Sequence, residues 1–231
     1  MKLRLLIPVV LLFSFLLAEA GPIRVLFLGH PAKHHNSNEY YPMLAKALGR
    51  DAIYFDYTVS VEEALGDAKY RGQFDVLLLY ANHGTIQPHQ WKNLKNYVEN
   101  GGGFVPVHCA SWCFGNEPGF DQLVGGRFQS HQGAVFSARI TDGKHPAMKG
   151  VQAFEAWDET YFHTKHNPKN RTVLMVRDAM PGDPHTKPEP WTWVRTQGKG
   201  RVFYTASGHD ARVWGHAGFH QLLKSGILWA A

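Results

Sequence analysis

The chain has 231 residues, 44% of them hydrophobic, and 24 Lys and Arg against 19 Asp and Glu give a formal charge of +5. That size suits one domain with a sizeable core, and the scattered Lys and Arg form no basic run, which excludes an electrostatic footprint for nucleic acid. Cys109 and Cys113 are the two cysteines, and their spacing on an expected helix start is poor for a disulfide, so they read as free thiols.

Lys2 and Arg4 precede an apolar run from Leu5 to Leu17, and Ala18-Glu19-Ala20 offers a small-x-small cleavage site before Gly21. This is the layout of a secretory signal peptide, residues 1–20, with a core too short for a transmembrane span. No Cys follows the cleavage site to carry a lipid. The expected mature protein, residues 21–231, is therefore secreted or periplasmic, with no stable membrane anchor after cleavage.

Ile23 to Leu28 has the continuous apolar pattern of a buried strand and ends at Gly29-His30-Pro31. His34 to Glu39 contains a helix N-cap, and Tyr41, Leu44, Ala45 and Leu48 then follow helical spacing. Ala52 to Tyr57 is a second strand, and a polar helix around Val61 to Leu65 leads to a third strand, Phe74 to Tyr80. That strand ends in Ala81-Asn82-His83-Gly84. Pro88 to Tyr97 is a helix with proline in its first turn. The glycine run Gly101 to Gly103 opens a fourth strand that stops abruptly at His108-Cys109. Alternation of strand and helix predicts right-handed crossovers and an α/β, doubly wound, mostly parallel sheet with helices on both faces.

Beyond Phe114 the pattern changes, and extra antiparallel strands are expected in the C-terminal half. Phe120 to Val124 is a short helix, Gly125 to Phe128 a turn before His131, and Val135 to Ile140 a strand. Phe154 to His163 reads as one strand with Glu155, Trp157, Glu159, Tyr161 and His163 on one face. Thr172 to Val176 is another strand, and Asp178 to Pro190 a surface loop. Trp191 to Arg195 and Arg201 to Ala206 pair across a Gly-Lys-Gly turn, and Phe219 to Trp229 closes the chain as an amphipathic helix.

Ligands of open α/β sheets bind beyond the carboxyl ends of the strands. His30, His83 and His108 end three expected strands, and Ser207-Gly208-His209-Asp210 follows a fourth. Three chemistries can use such a group. Cys109 can act as a nucleophile with His209 as base and Asp210 as orienter, although Val107 and Ser111 replace the small flanks of a nucleophile elbow. Imidazoles from His30, His83 and His108, with a carboxylate such as Glu159, suit a divalent metal ion such as zinc, although no HExxH spacing occurs. Histidine acid–base work on a small polar molecule needs no metal. Any single histidine, or Asp158 and Glu159, can equally be a surface residue or a salt-bridge partner.

The chain resembles the ThuA-like (trehalose utilisation) family of the class I glutamine amidotransferase-like superfamily. The resemblance is carried by Val25 to His30, Gly101 to His108, Gly125-Gly126-Arg127-Phe128 with His131, His145-Pro146, Asp158 to Tyr161, Gly198 to Tyr204, Gly208-His209-Asp210 and Trp229. It implies a flavodoxin-like sheet and a link to carbohydrate metabolism, particularly of disaccharides and their keto derivatives. By that comparison His108 takes the elbow position that a cysteine holds in the amidotransferases, and His209-Asp210 replaces their late His-x-Glu. The expectation is an exported enzyme acting on a small-molecule carbohydrate, with His108, His209 and Glu159 catalytic. His30, His83 and His131 surround the substrate, and Trp112 and Tyr161 form an apolar wall. A non-catalytic sugar- or partner-binding module is the alternative from a different class, and a homo-oligomer stays open.

Overall fold

A computed structural model describes residues 21–231, so the expected signal peptide lies outside the described residues. The strand and helix order of the first half follows the apolar pattern closely. β1 (Ile23–Gly29) leads through α1 (Ser37–Leu48) to β2 (Ile53–Thr58), then through α2 (Val61–Leu65) and α3 (Ala68–Arg71) to β3 (Val76–Tyr80). α4 (Pro88–Glu99) and β4 (Gly103–Pro106) follow, and β4 runs into a 3₁₀ turn over His108–Trp112. Asn36 caps α1 by accepting from the Asn38 N–H, as the polar run before that helix predicts. Every residue of β3 and β4 is buried, which is why both read as unbroken apolar runs.

α5 (Pro118–Val124) then leads to β5 (Arg127–Ser130), β6 (Gly133–Ser137) and β7 (Arg139–Ile140). β8 (Glu155–Glu159), β9 (Phe162–Thr164), β10 (Arg171–Arg177), β11 (Glu189–Gln197) and β12 (Gly200–Thr205) complete the strands, and α6 (Ala211–Trp214) and α7 (Ala217–Ala230) end the chain. The main sheet has the order β2-β1-β3-β4-β12-β11-β10-β7. Its first five strands are mutually parallel, and β11, β10 and β7 extend it antiparallel. This is a flavodoxin-like α/β fold with an antiparallel C-terminal extension. β12 docks beside β4 and brings the Ser207–Asp210 segment to the same sheet edge as His108.

The second half departs from the sequence reading in four places. Gly125 to Phe128 is not only a turn, because Arg127–Ser130 pairs with β9. The run Val135 to Ile140 is divided between β6, which pairs with β8, and β7, which joins the main sheet. Phe154 to His163 is likewise two strands: β8 pairs with β6, β9 pairs with β5, and the chain breaks at Thr160-Tyr161. A period-two pattern reports facing and not partners, so it continues across a change of sheet. Finally, the expected surface loop 178–190 ends inside β11, where Glu189 is buried and accepts from the His163 backbone N–H and Nδ1.

Candidate functional site

The site sits where β4 ends. His108 has φ +49°, the left-handed region, so the chain turns sharply out of the strand there. Its carbonyl lies 3.0 Å from Ser111 Oγ and 3.1 Å from the Tyr204 hydroxyl, which itself touches His163 Nε2 at 2.9 Å. These contacts hold the turn from below. The imidazole is fully buried and stacks on Tyr161 with ring centres 4.1 Å apart. Its Nδ1 lies 2.6 Å from the Ala206 carbonyl oxygen, which fixes the proton on Nδ1 and leaves Nε2 as the free end. Burial pushes the His108 pKa down to about 4, outweighing the nearby Glu159 carboxylate that raises it, so the ring is neutral.

Nε2 of His108 meets two other groups. His35 Nε2 is 3.2 Å away and Glu159 Oε2 3.3 Å away. His209 Nδ1 lies 3.2 Å from His35 Nε2 and 3.1 Å from Glu159 Oε1. His35 Nε2 is 3.7 Å from Glu159 Oε2, and the more exposed His131 places Nδ1 3.4 Å from Glu159 Oε1. One carboxylate is therefore ringed by four imidazoles. Burial opposes its ionisation, but the close imidazoles of His108, His209 and His35 prevail and hold it far below the usual carboxyl range. Burial also lowers the His209 pKa, and the Glu159 contact overcomes this and raises it.

Each partner arrives by a different route. His35 belongs to the β1–α1 loop, closed by a bridge between Pro31 and Asn36. Glu159 ends β8, and His131 lies in the β5–β6 connection, which is tied to Thr160 through Gln132. His209 is set by Asp158, whose carboxylate accepts the backbone N–H groups of Gly208, His209 and Glu159. Burial raises the Asp158 pKa to about 7 against those three hydrogen bonds. Gly208, at φ +136°, carries the chain past His108, where an added Cβ would lie 3.2 Å from the histidine Cβ.

A cavity of about 200 Å³ opens over this group, lined by His34, His35, Asn82, Trp112, Phe128, His131, Glu159 and Tyr161. Trp112 is 41% exposed at its edge, and Asn82 Oδ1 is buried without a protein partner. Larger depressions lie at the opposite sheet edge, around Asp75 and Tyr97, and beside α7, around Lys149 and Trp229. Neither is lined by histidine, and the one beside α7 carries Lys149, Arg201 and Lys224 with no carboxylate.

The structure thus brings together His108, His209, Glu159 and His131, with Trp112 and Tyr161 in the cavity wall. It does not bring His30 and His83 to them. β1 and β3 are neighbours, and the two imidazoles at their ends stack on each other, 4.7 Å between centres, with His83 Nε2 on the Gly29 carbonyl. The expected ligand set His30, His83 and His108 is therefore not assembled. Nor is a Cys109–His209–Asp210 triad: Cys109 is buried with its thiol pushed well up by that burial, His209 Nδ1 faces Glu159, and Asp210 pairs with Arg212. Sequence reasoning passed over His35, whose signal was its position in the loop after the first parallel strand, at the sheet edge where this fold class binds ligands.

Solved structures share the fold. A ThuA-like protein from Parabacteroides merdae superposes with a TM-score of 0.76 at 20% identity, covering 90% of each chain. One from Bacteroides uniformis gives 0.75 at 19%, covering 92% of this chain and 93% of that one. A β-galactosidase from Bacillus circulans sp. alkalophilus matches over 31% of its own length and 90% of this chain, with a TM-score of 0.61 at 17% identity. No curated protein matches the sequence. The family model described as "ThuA: Trehalose utilisation" matches residues 24–230, nearly the whole of the described chain, and the protein belongs to that family.

Proposed function

We propose that the protein is a carbohydrate-active enzyme, exported to the periplasm or beyond, that performs acid–base chemistry on a disaccharide, glycoside or keto-sugar. The observation that carries this reading is the Glu159 carboxylate at the base of the cavity, ringed by imidazole nitrogens at 3.1–3.7 Å. An ionised carboxylate paired with imidazoles supplies both a proton acceptor and proton donors within one site. The family description supports a sugar as the substrate class.

The cavity, at about 200 Å³, is below the ~300–1,000 Å³ of drug-sized pockets and fits one sugar ring, the rest of a larger substrate lying outside. Trp112, Phe128 and Tyr161 give the ring an apolar face, and Asn82 Oδ1 is free to accept from a hydroxyl. His131, nearly half exposed and resting on Glu159, is the group best placed to pass a proton between substrate and solvent.

Turnover of disaccharides, glycosides and their 3-keto forms, followed by chromatography of the products, tests the reading. Glu159→Gln is expected to lower kcat by roughly 10²–10⁴-fold in a folded protein, the usual worth of a positioned acid–base group. Asn82→Ala should mainly raise KM. Full activity in folded Glu159→Gln would sink the site, and saturable sugar binding without turnover would replace the enzyme with a binding module.

A further inference from the structure

We propose that His35, His108, His209 and Glu159 together bind one divalent transition-metal ion, of the zinc class, at the floor of the cavity. Their ligand-type atoms, three imidazole nitrogens and one carboxylate oxygen, all lie within 4.8 Å of one another. Among the described residues this is the group of His, Cys, Asp and Glu so arranged. With ligands about 2.0–2.2 Å from a tetrahedral ion, neighbouring ligand atoms stand roughly 3.3–3.6 Å apart. The separations found are 3.2 Å for His35–His108, 3.2 Å for His35–His209, 3.3 Å for His108–Glu159 and 3.7 Å for His35–Glu159. Four of the six edges of a tetrahedral ligand set are therefore already close to the length a bound ion requires.

The proton count points the same way. The Nδ1 proton of His108 is committed to the Ala206 carbonyl, so its Nε2 lone pair faces a carboxylate oxygen at 3.3 Å with no hydrogen between them. A cation at the centre turns both atoms into ligands.

The surroundings are those of a supported centre as well. The Ala206 carbonyl orients one ligand through its other nitrogen, and the Asp158 carboxylate pins the backbone of both Glu159 and His209. Tyr161 covers the face of His108, and Tyr80 approaches the edge of His35 with ring centres 6.1 Å apart. The nitrogen-rich donor set favours zinc, cobalt or nickel over magnesium or calcium, which prefer all-oxygen shells. A substrate oxygen entering from the cavity side would add a fifth ligand, which the ion would polarise as a Lewis acid. That role rests on the carbohydrate reading; the presence of the ion does not.

The test is elemental analysis of the mature protein purified without a histidine tag, followed by chelator treatment and titration with zinc and cobalt(II). One equivalent bound per chain is expected, with cobalt giving the visible absorption of a low-symmetry site. Glu159→Gln and His35→Asn, checked for folding by circular dichroism, should weaken binding by about 100-fold or more, whereas His83→Ala should leave it unchanged. Failure of folded wild-type protein to take up zinc or cobalt overturns the proposal, and so does full retention of metal in both ligand variants. A bound ion in a protein that turns over no sugar would leave the metal site standing and remove the carbohydrate reading.

Discussion

At the scale of single residues, His108 and Cys109 divide what a nucleophile elbow combines. His108 carries the left-handed backbone, a conformation that costs most L-residues about 1–2 kcal/mol, and projects its ring towards the cavity floor. Cys109, one residue on, is 1% exposed and packed into the core. Its thiol is therefore expected to resist iodoacetamide at pH 8 in the native protein and to react fully once guanidinium unfolds it. Rapid native labelling would show that the thiol is accessible. The preference for histidine over cysteine was legible in the sequence through the residues flanking Cys109, the family pattern and the histidines at other strand ends. His35 was not, since its place depends on the path of a loop whose closure, the Pro31–Asn36 bridge, has no periodic signature. His30 and His83 illustrate the converse. Sequence places both at the correct sheet edge, yet only the lateral order of strands decides which histidines meet.

At the scale of elements, the parallel half was readable because β1, β3 and β4 are continuous apolar runs between turn residues. The smaller sheets were not, because β5, β6, β8 and β9 are short and paired out of chain order, and β5 and β6 are largely exposed. The glycine run before β4 has a packing reason. An added Cβ at Gly103 would lie 2.8 Å from the Ala230 carbonyl oxygen and 3.0 Å from Val76 Cγ2, so β4 and the end of α7 approach too closely for a side chain. Gly103→Ala is expected to cost about 1–3 kcal/mol through forced displacement of that contact, measurable as a lower urea midpoint. An unchanged midpoint would mean that α7 gives way freely.

At the scale of the whole molecule, stability should fall in alkali through Cys113. Burial pushes its pKa up to about 12 from an ordinary thiol value of 9.0, so above pH 9 the unfolded chain loses this proton while the folded chain keeps it. The unfolded state is favoured progressively between pH 9 and 12, and by pH 10 the loss is about 1 kcal/mol. Urea midpoints at pH 8 and pH 10 test this. Cys113→Ala, whatever its own cost, should lose correspondingly less on going to pH 10. The four groups at the cavity floor carry a different consequence for the intact fold. His35 and His209 are 174 positions apart and touch directly, so segments distant in sequence close on one point. A guest seated there fastens four distant segments like a clasp, and no partly opened form that releases any one of them can keep it. Its binding free energy is thereby added to global unfolding: a guest at a hundred times its Kd should raise stability by about 2.7 kcal/mol, and the melting temperature should climb with its concentration.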